Sequence, residues 1–183
     1  MEASSKRIHT PEGSPQVRVL DARLDGLDER GLRERARSFS KATRARYVTR
    51  SYRYPYALVA WHNEPVGVDI ERIEPCDAAF AELICTPDER PEAAASTDFH
   101  AHLTSLWCSK EALAKALGSP LRYAPDKLES PSRWADLRCG SWHATPLETV
   151  LGHTAWLCWR TVGTKKLCVA KISSAYSSPI AVR

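Results

Sequence analysis

The chain has 183 residues, with 26 Lys and Arg against 22 Asp and Glu, a formal net charge of +4 and 43% hydrophobic residues. That length suits one large domain or two small packed halves, and the composition excludes disorder, collagen and small disulfide scaffolds. A charge of +4 is too mild to mark a nucleic-acid or membrane protein.

A polar leader, residues 1–15, precedes an expected first strand at Val17 to Leu24. Asp28 is placed to cap a helix from Glu29 into the 40s, because Leu32, Ala36 and Phe39 recur at three- and four-residue spacing. Pro55 then interrupts, and Tyr56 to Trp61 reads as a buried strand whose hairpin partner is Val66 to Glu71, across the turn His62 to Pro65. Asp77 to Cys85 predicts a short helix, Thr86 to Pro91 a loop, and Thr97 to Leu117 the longest helix, stopped by Gly118 and Pro120. The remainder reads as a β-meander of about Trp134 to Trp142, Thr154 to Thr161 and Lys166 to Ile172, followed by a partly ordered tail. Composition alone shows no clear domain boundary.

No stretch approaches the roughly 18 consecutive apolar residues of a membrane span. The N-terminal residues also lack the apolar core of a signal peptide, so the expected compartment is the cytosol. Cys76, Cys85, Cys108, Cys139, Cys158 and Cys168 have no C-x-x-C pair and are expected to be reduced, mostly buried hydrophobes. His100 and His102 would point to nearly opposite sides of the long helix, which argues against a shared metal. Charge is segregated. Arg and Lys dominate from Glu29 to Arg53, and acids from Glu64 to Glu89, as expected of a phosphate-attracting region beside a cation-holding one, or of solvated surfaces.

The most specific segment is Val66-Gly-Val-Asp-Ile-Glu71. On a strand, Asp69 and Glu71 share one face while Val68 and Ile70 anchor the other. Paired carboxylates on a rigid element suit a hard divalent cation such as Mg²⁺; an exposed face with two solvated acids is the alternative. A second segment, Leu106 to Gly118, sets Trp107, Glu111 and Lys115 four residues apart on one stripe. The adjacent apolar stripe puts Lys110 at the edge of the buried face. Glu111 and Lys115 also fit an ordinary stabilising helix pair.

Together these segments resemble the signature of the 4′-phosphopantetheinyl transferases, V/I-G-I/V-D-x-E followed by W-S/C-x-K-E-A/S-x-x-K. Here it reads Val66 to Glu71 and Trp107 to Lys115, with every charged position matched. The resemblance implies transfer of 4′-phosphopantetheine from coenzyme A to a serine of an apo acyl or peptidyl carrier protein, releasing adenosine 3′,5′-bisphosphate. It assigns Mg²⁺ to Asp69, Glu71 and Glu111, makes Glu111 the base for the serine, and gives phosphate charge to Lys115 and Lys110. The larger members' Ser-His pair falls on Ser51 and Tyr52; since tyrosine cannot become cationic, Arg50 or Arg53 is the expected source of the missing charge. By analogy the carrier docks on Ile73, Phe80, Leu83 and Ile84, near Arg72 and Arg90.

The implied fold is α+β, two similar small sheet-plus-helix halves packed as a pseudo-dimer. Residues 16–65 form a shortened N-terminal half, 66–172 the C-terminal half with both motifs, and 173–183 a tail. The expected protein is a monomer that binds neither nucleic acid nor membrane. Two other readings stay open: a non-catalytic coenzyme A- or carrier-binding relative, and a nucleic-acid contact on the Arg-rich segment.

Overall fold

The computed structural model describes residues 5–8 and 13–161. Four strands, β1 (Ser5–Ile8), β2 (Gln16–Asp21), β3 (Tyr47–Arg53) and β4 (Tyr56–His62), form an antiparallel sheet ordered β1-β2-β4-β3. Helix α1 (Glu29–Ala42) covers one face. It starts where the Asp28 carboxylate accepts the Gly31 N–H at 2.7 Å, and it presses Leu32 and Ala36 onto Leu20, Ala57 and Val59.

The second sheet contains β5 (Val66–Arg72), β6 (Arg138–Cys139), β7 (Trp142–Pro146) and β8 (His153–Arg160), ordered β5-β8-β7-β6. Between β5 and β6 lie α2 (Ala78–Ile84), α3 (Glu89–Ala95) and α4 (Phe99–Ala116). Asp98 caps α4 through the Ala101 N–H, and Gly118 closes its other end at φ 80°, a left-handed conformation that favours glycine.

Each sheet keeps one face for a helix and turns the other toward its neighbour. Leu58 and Ala60 of β4 meet Val66, Val68 and Ile70 of β5 and Leu157 of β8 in one shared core. On the far face of the second sheet, Cys108, Ala112 and Leu113 of α4 pack on Trp156 and Cys158. The layers therefore run α1, first sheet, second sheet, α4. The unit β2-α1-β3-β4, with strand order β2-β4-β3, recurs as β5-α4-β7-β8, with order β5-β8-β7. This is the expected α+β pair of similar halves, with α2, α3 and the short turns added to the second.

Several expectations need correction. β4 and β5 are not hairpin partners: β4 pairs with β2 and β3, β5 pairs with β8, and residues 63–65 cross between the sheets. Period-two patterning shows which faces are buried, not which strand lies alongside. β1 uses part of the supposed leader, β3 occupies a stretch with no expected element, and α3 begins inside the expected loop at 86–91. The segment Trp134 to Trp142 holds tight turns and the short β6, and the longer strand β7 starts only at its last residue, Trp142. Lys166 to Ile172 and the tail lie outside the described residues, as does Cys168. Cys76, Cys85, Cys108 and Cys158 are free, but Cys139 is disulfide-bonded, against the expectation of a reduced thiol. Among the described residues no helix is long and apolar enough to cross a membrane.

Candidate functional site

The site begins with a close approach of backbones. A Cβ added to Gly67 would fall 1.9 Å from the Ala112 carbonyl oxygen and 2.5 Å from the Ala116 nitrogen, so α4 lies flush against β5. Asp69, two residues along on the helix-facing side, is thereby brought to Lys115, whose Nζ donates to Asp69 Oδ1 at 2.5 Å and to the Val68 carbonyl at 3.3 Å. From the other half, Ser51 Oγ donates to the same Oδ1 at 2.7 Å and accepts the Ile70 N–H at 3.3 Å. Asp69 is only 2% exposed, and its Oδ2 is buried with no hydrogen-bond partner among the described residues.

Glu71 and Glu111 flank this group. Burial, reinforced by the Asp69 charge, pushes the Glu71 carboxyl up to about 7, while Arg53 with its Nε 3.6 Å away opposes the shift. Burial also raises Glu111, against the hydrogen bond that Tyr123 Oη donates to Glu111 Oε1 at 2.6 Å. Asp69 adds repulsion to both, so the three carboxylates share one field. Among the described residues no three His, Cys, Asp or Glu side chains converge closely enough to form a metal cluster by themselves. Each is instead engaged by a neighbour, Asp69 by Lys115 and Ser51, Glu71 by Arg53, Glu111 by Tyr123.

The remaining expected residues separate. Ser51, Tyr52 and Arg53 go three ways. Ser51 is buried and committed to β5, so it is a strut between the halves rather than a phosphate contact. Tyr52 lines a cleft of about 620 Å³ that also takes in Arg37, Arg50 and Lys115, and the Arg33 guanidinium stacks over its ring at 4.8 Å. Positive charge near Tyr52 thus comes from α1, as well as from the expected Arg50. Arg53 turns to Glu71 and Glu74 and borders a second cleft of about 640 Å³ with Phe80 and Trp107.

Lys110 is not where the sequence reading put it. It is fully buried, and its Nζ donates to Glu89 Oε2 at 2.5 Å, the Ile84 carbonyl at 2.6 Å and the Pro125 carbonyl at 2.9 Å. Three donors are thereby used, leaving none for a phosphate. Glu89, equally buried, accepts the Thr86 and Ser130 N–H groups at 2.8 and 2.7 Å. Removing one partner strands the other's charge, so Glu89→Ala is expected to cost about 3–5 kcal/mol, read from the shift in denaturant midpoint.

Of the docking residues, Phe80 packs edge-on against Trp107 at the second cleft, Ile73 is half-buried, and Leu83 is 65% exposed. Ile84 is fully buried against Leu103 and Leu106, so it is a core residue with no surface for a partner. Sequence reasoning missed Tyr123, Glu89, Arg33 and Arg37. The last two belong to the noted basic cluster, whereas Tyr123 follows α4 with no periodic signal to single it out.

The family model of the 4′-phosphopantetheinyl transferase superfamily matches residues 65–172. The chain belongs to that superfamily. The match takes in β5 to β8 and so contains Asp69, Glu71, Glu111 and Lys115, while Ser51 and the basic residues of the first cleft lie before it. The two-sheet architecture accords with a phosphopantetheinyl transferase fold, and the superfamily stands for phosphopantetheine transfer in general. No curated protein matches the chain.

Proposed function

We propose that the protein moves the 4′-phosphopantetheine arm of coenzyme A onto a serine of an apo acyl or peptidyl carrier protein. The observation that carries this reading is the carboxylate group of Asp69, Glu71 and Glu111 beside the ammonium of Lys115, a residue that also lines the basic cleft.

The residues fit Mg²⁺. The donors are all hard oxygens, and the buried Asp69 Oδ2, without a hydrogen-bond partner among the described residues, is a costly arrangement that a cation would relieve. Asp69, Glu71 and Glu111 would hold the ion, which when bound supplies positive charge against the pyrophosphate. Lys115, shared between Asp69 and the first cleft, neutralises phosphate from the protein side. Arg37 and Arg50 take the phosphorylated nucleoside end of coenzyme A, and the Arg33-Tyr52 stack supplies a flat, positively charged wall. The carrier approaches from the second cleft, past Phe80, Trp107 and the exposed Leu83.

In the transfer the serine oxygen attacks the phosphorus that bears the pantetheine arm, and the bond to the bridging oxygen breaks. Adenosine 3′,5′-bisphosphate leaves, and the serine proton passes to Glu111. Burial raises that carboxyl above the usual range and so makes it a better proton acceptor. Both halves of the site come from one chain, in keeping with a monomer.

The test is incubation with coenzyme A, Mg²⁺ and apo carriers of the fatty-acid, polyketide and peptide types. The expected result is a carrier mass gain of one phosphopantetheine; no gain with any of them overturns the proposal.

A further inference from the structure

Asp69 and Glu111 present the same pattern: one oxygen held from outside, the other left over. Asp69 Oδ1 receives Ser51 and Lys115 while Oδ2 has no partner; Glu111 Oε1 receives Tyr123, and no hydrogen bond reaches Oε2 among the described residues. A carboxylate with one oxygen engaged can offer a cation one oxygen, the mode that suits small, strictly octahedral Mg²⁺; the larger Ca²⁺ also accepts both oxygens of one carboxylate.

Tyr123 is itself fixed by the buried polar hub. Two residues along the chain, the Pro125 carbonyl accepts from Lys110 Nζ, and Lys110 neighbours Glu111 on α4. Glu89 closes the hub from the other side, joining Lys110 to the Ser130 N–H. The segment carrying the phenol is thus pinned to the same helix as the carboxylate it holds.

We infer that Tyr123 is a positioning residue for the reaction, orienting Glu111 so that a single oxygen serves the metal. This rests on the assignment of Glu111 to the cation site. Lys110 contributes through Pro125, which gives this fully buried lysine a part in the site that requires no contact with phosphate.

Tyr123→Phe keeps the ring and removes only the hydroxyl. Calorimetric titration of the coenzyme-free protein with Mg²⁺ is expected to show affinity about 10- to 100-fold weaker, with Ca²⁺ affinity reduced less. In labelling assays kcat falls while KM for coenzyme A stays within about twofold, the split expected of an interaction that does not hold the substrate. In a Glu111→Gln background the same change adds no further loss of Mg²⁺ affinity. Unchanged Mg²⁺ affinity in Tyr123→Phe, or an equal loss in the Glu111→Gln background, overturns the inference. The titration needs no carrier, so parent protein that binds Mg²⁺ but labels no carrier would sink the transfer reading and leave standing the orientation of Glu111 toward the metal by Tyr123.

Discussion

Asp69→Asn is expected to abolish arm transfer, with kcat down at least about 10³-fold, while the folded protein melts within a few degrees of the parent. The size follows from comparison. Loss of one oxyanion donor costs about 10²- to 10³-fold in characterised enzymes, and Asp69 anchors Lys115 while the proposed function adds a metal-ligand role for Asp69 and a pyrophosphate contact for Lys115. Asparagine keeps the shape and one carbonyl oxygen, so Ser51 Oγ and Lys115 Nζ retain an acceptor. What disappears is the negative charge. Its loss weakens the bond from Lys115, but it also removes the desolvation of a buried carboxylate and the repulsion that Asp69 exerts on Glu71 and Glu111. These changes oppose one another, hence the small net effect on melting. Intact-mass labelling and a melting curve on one sample separate the cases. Near-normal labelling refutes the assigned metal site, and a collapsed melting curve would show that Asp69 serves the fold rather than the chemistry.

The same carboxylate shows what was legible in the sequence. Strand alternation alone put Asp69 and Glu71 on one face of β5, and four-residue spacing put Glu111 and Lys115 on one stripe of α4, because both inferences need only the local period of the backbone. Where each polar head ends depends on neighbours far along the chain. Lys115 and Glu111 fit a helix ion pair, yet one reaches Asp69 and the other Tyr123. Lys110, adjacent to Glu111, faces a different side of the helix and finds Glu89, which no spacing rule connects to it. Strand β3 escaped for a related reason. Its residues are nearly all half-buried or exposed, with Ser51 the one buried position, so its pattern lacks an apolar face and the arginines dominate the reading. Yet β3 delivers Ser51 to Asp69 and Tyr52 to the first cleft. The shared faces set by local backbone period were therefore readable, and the partners that each side chain finds through tertiary contact were not.

Gly67→Ala tests the packing on which both motifs depend. The new methyl would lie 1.9 Å from the Ala112 carbonyl oxygen, 2.5 Å from the Ala116 nitrogen and 3.0 Å from the Ala112 carbonyl carbon. All three are backbone atoms, so no side-chain rotation relieves the clash, and either α4 lifts away from β5 or the strand bends. Adding a methylene to a well-packed core costs about 1–3 kcal/mol when side chains can adjust. A backbone collision should exceed that, and the expected loss is about 4 kcal/mol or more, a large part of a typical domain's total stability. Lifting α4 would also separate Cys108, Ala112 and Leu113 from Trp156 and Cys158, and would carry Glu111 and Lys115 out of register with Asp69. Transfer and stability should therefore fall together, unlike the separation expected for Asp69→Asn. Denaturant unfolding and labelling of whatever folded fraction remains give the two readouts. A variant with parental midpoint and parental labelling would mean that the helix is not seated on the strand at Gly67, and the route by which Lys115 reaches Asp69 would have to be redrawn.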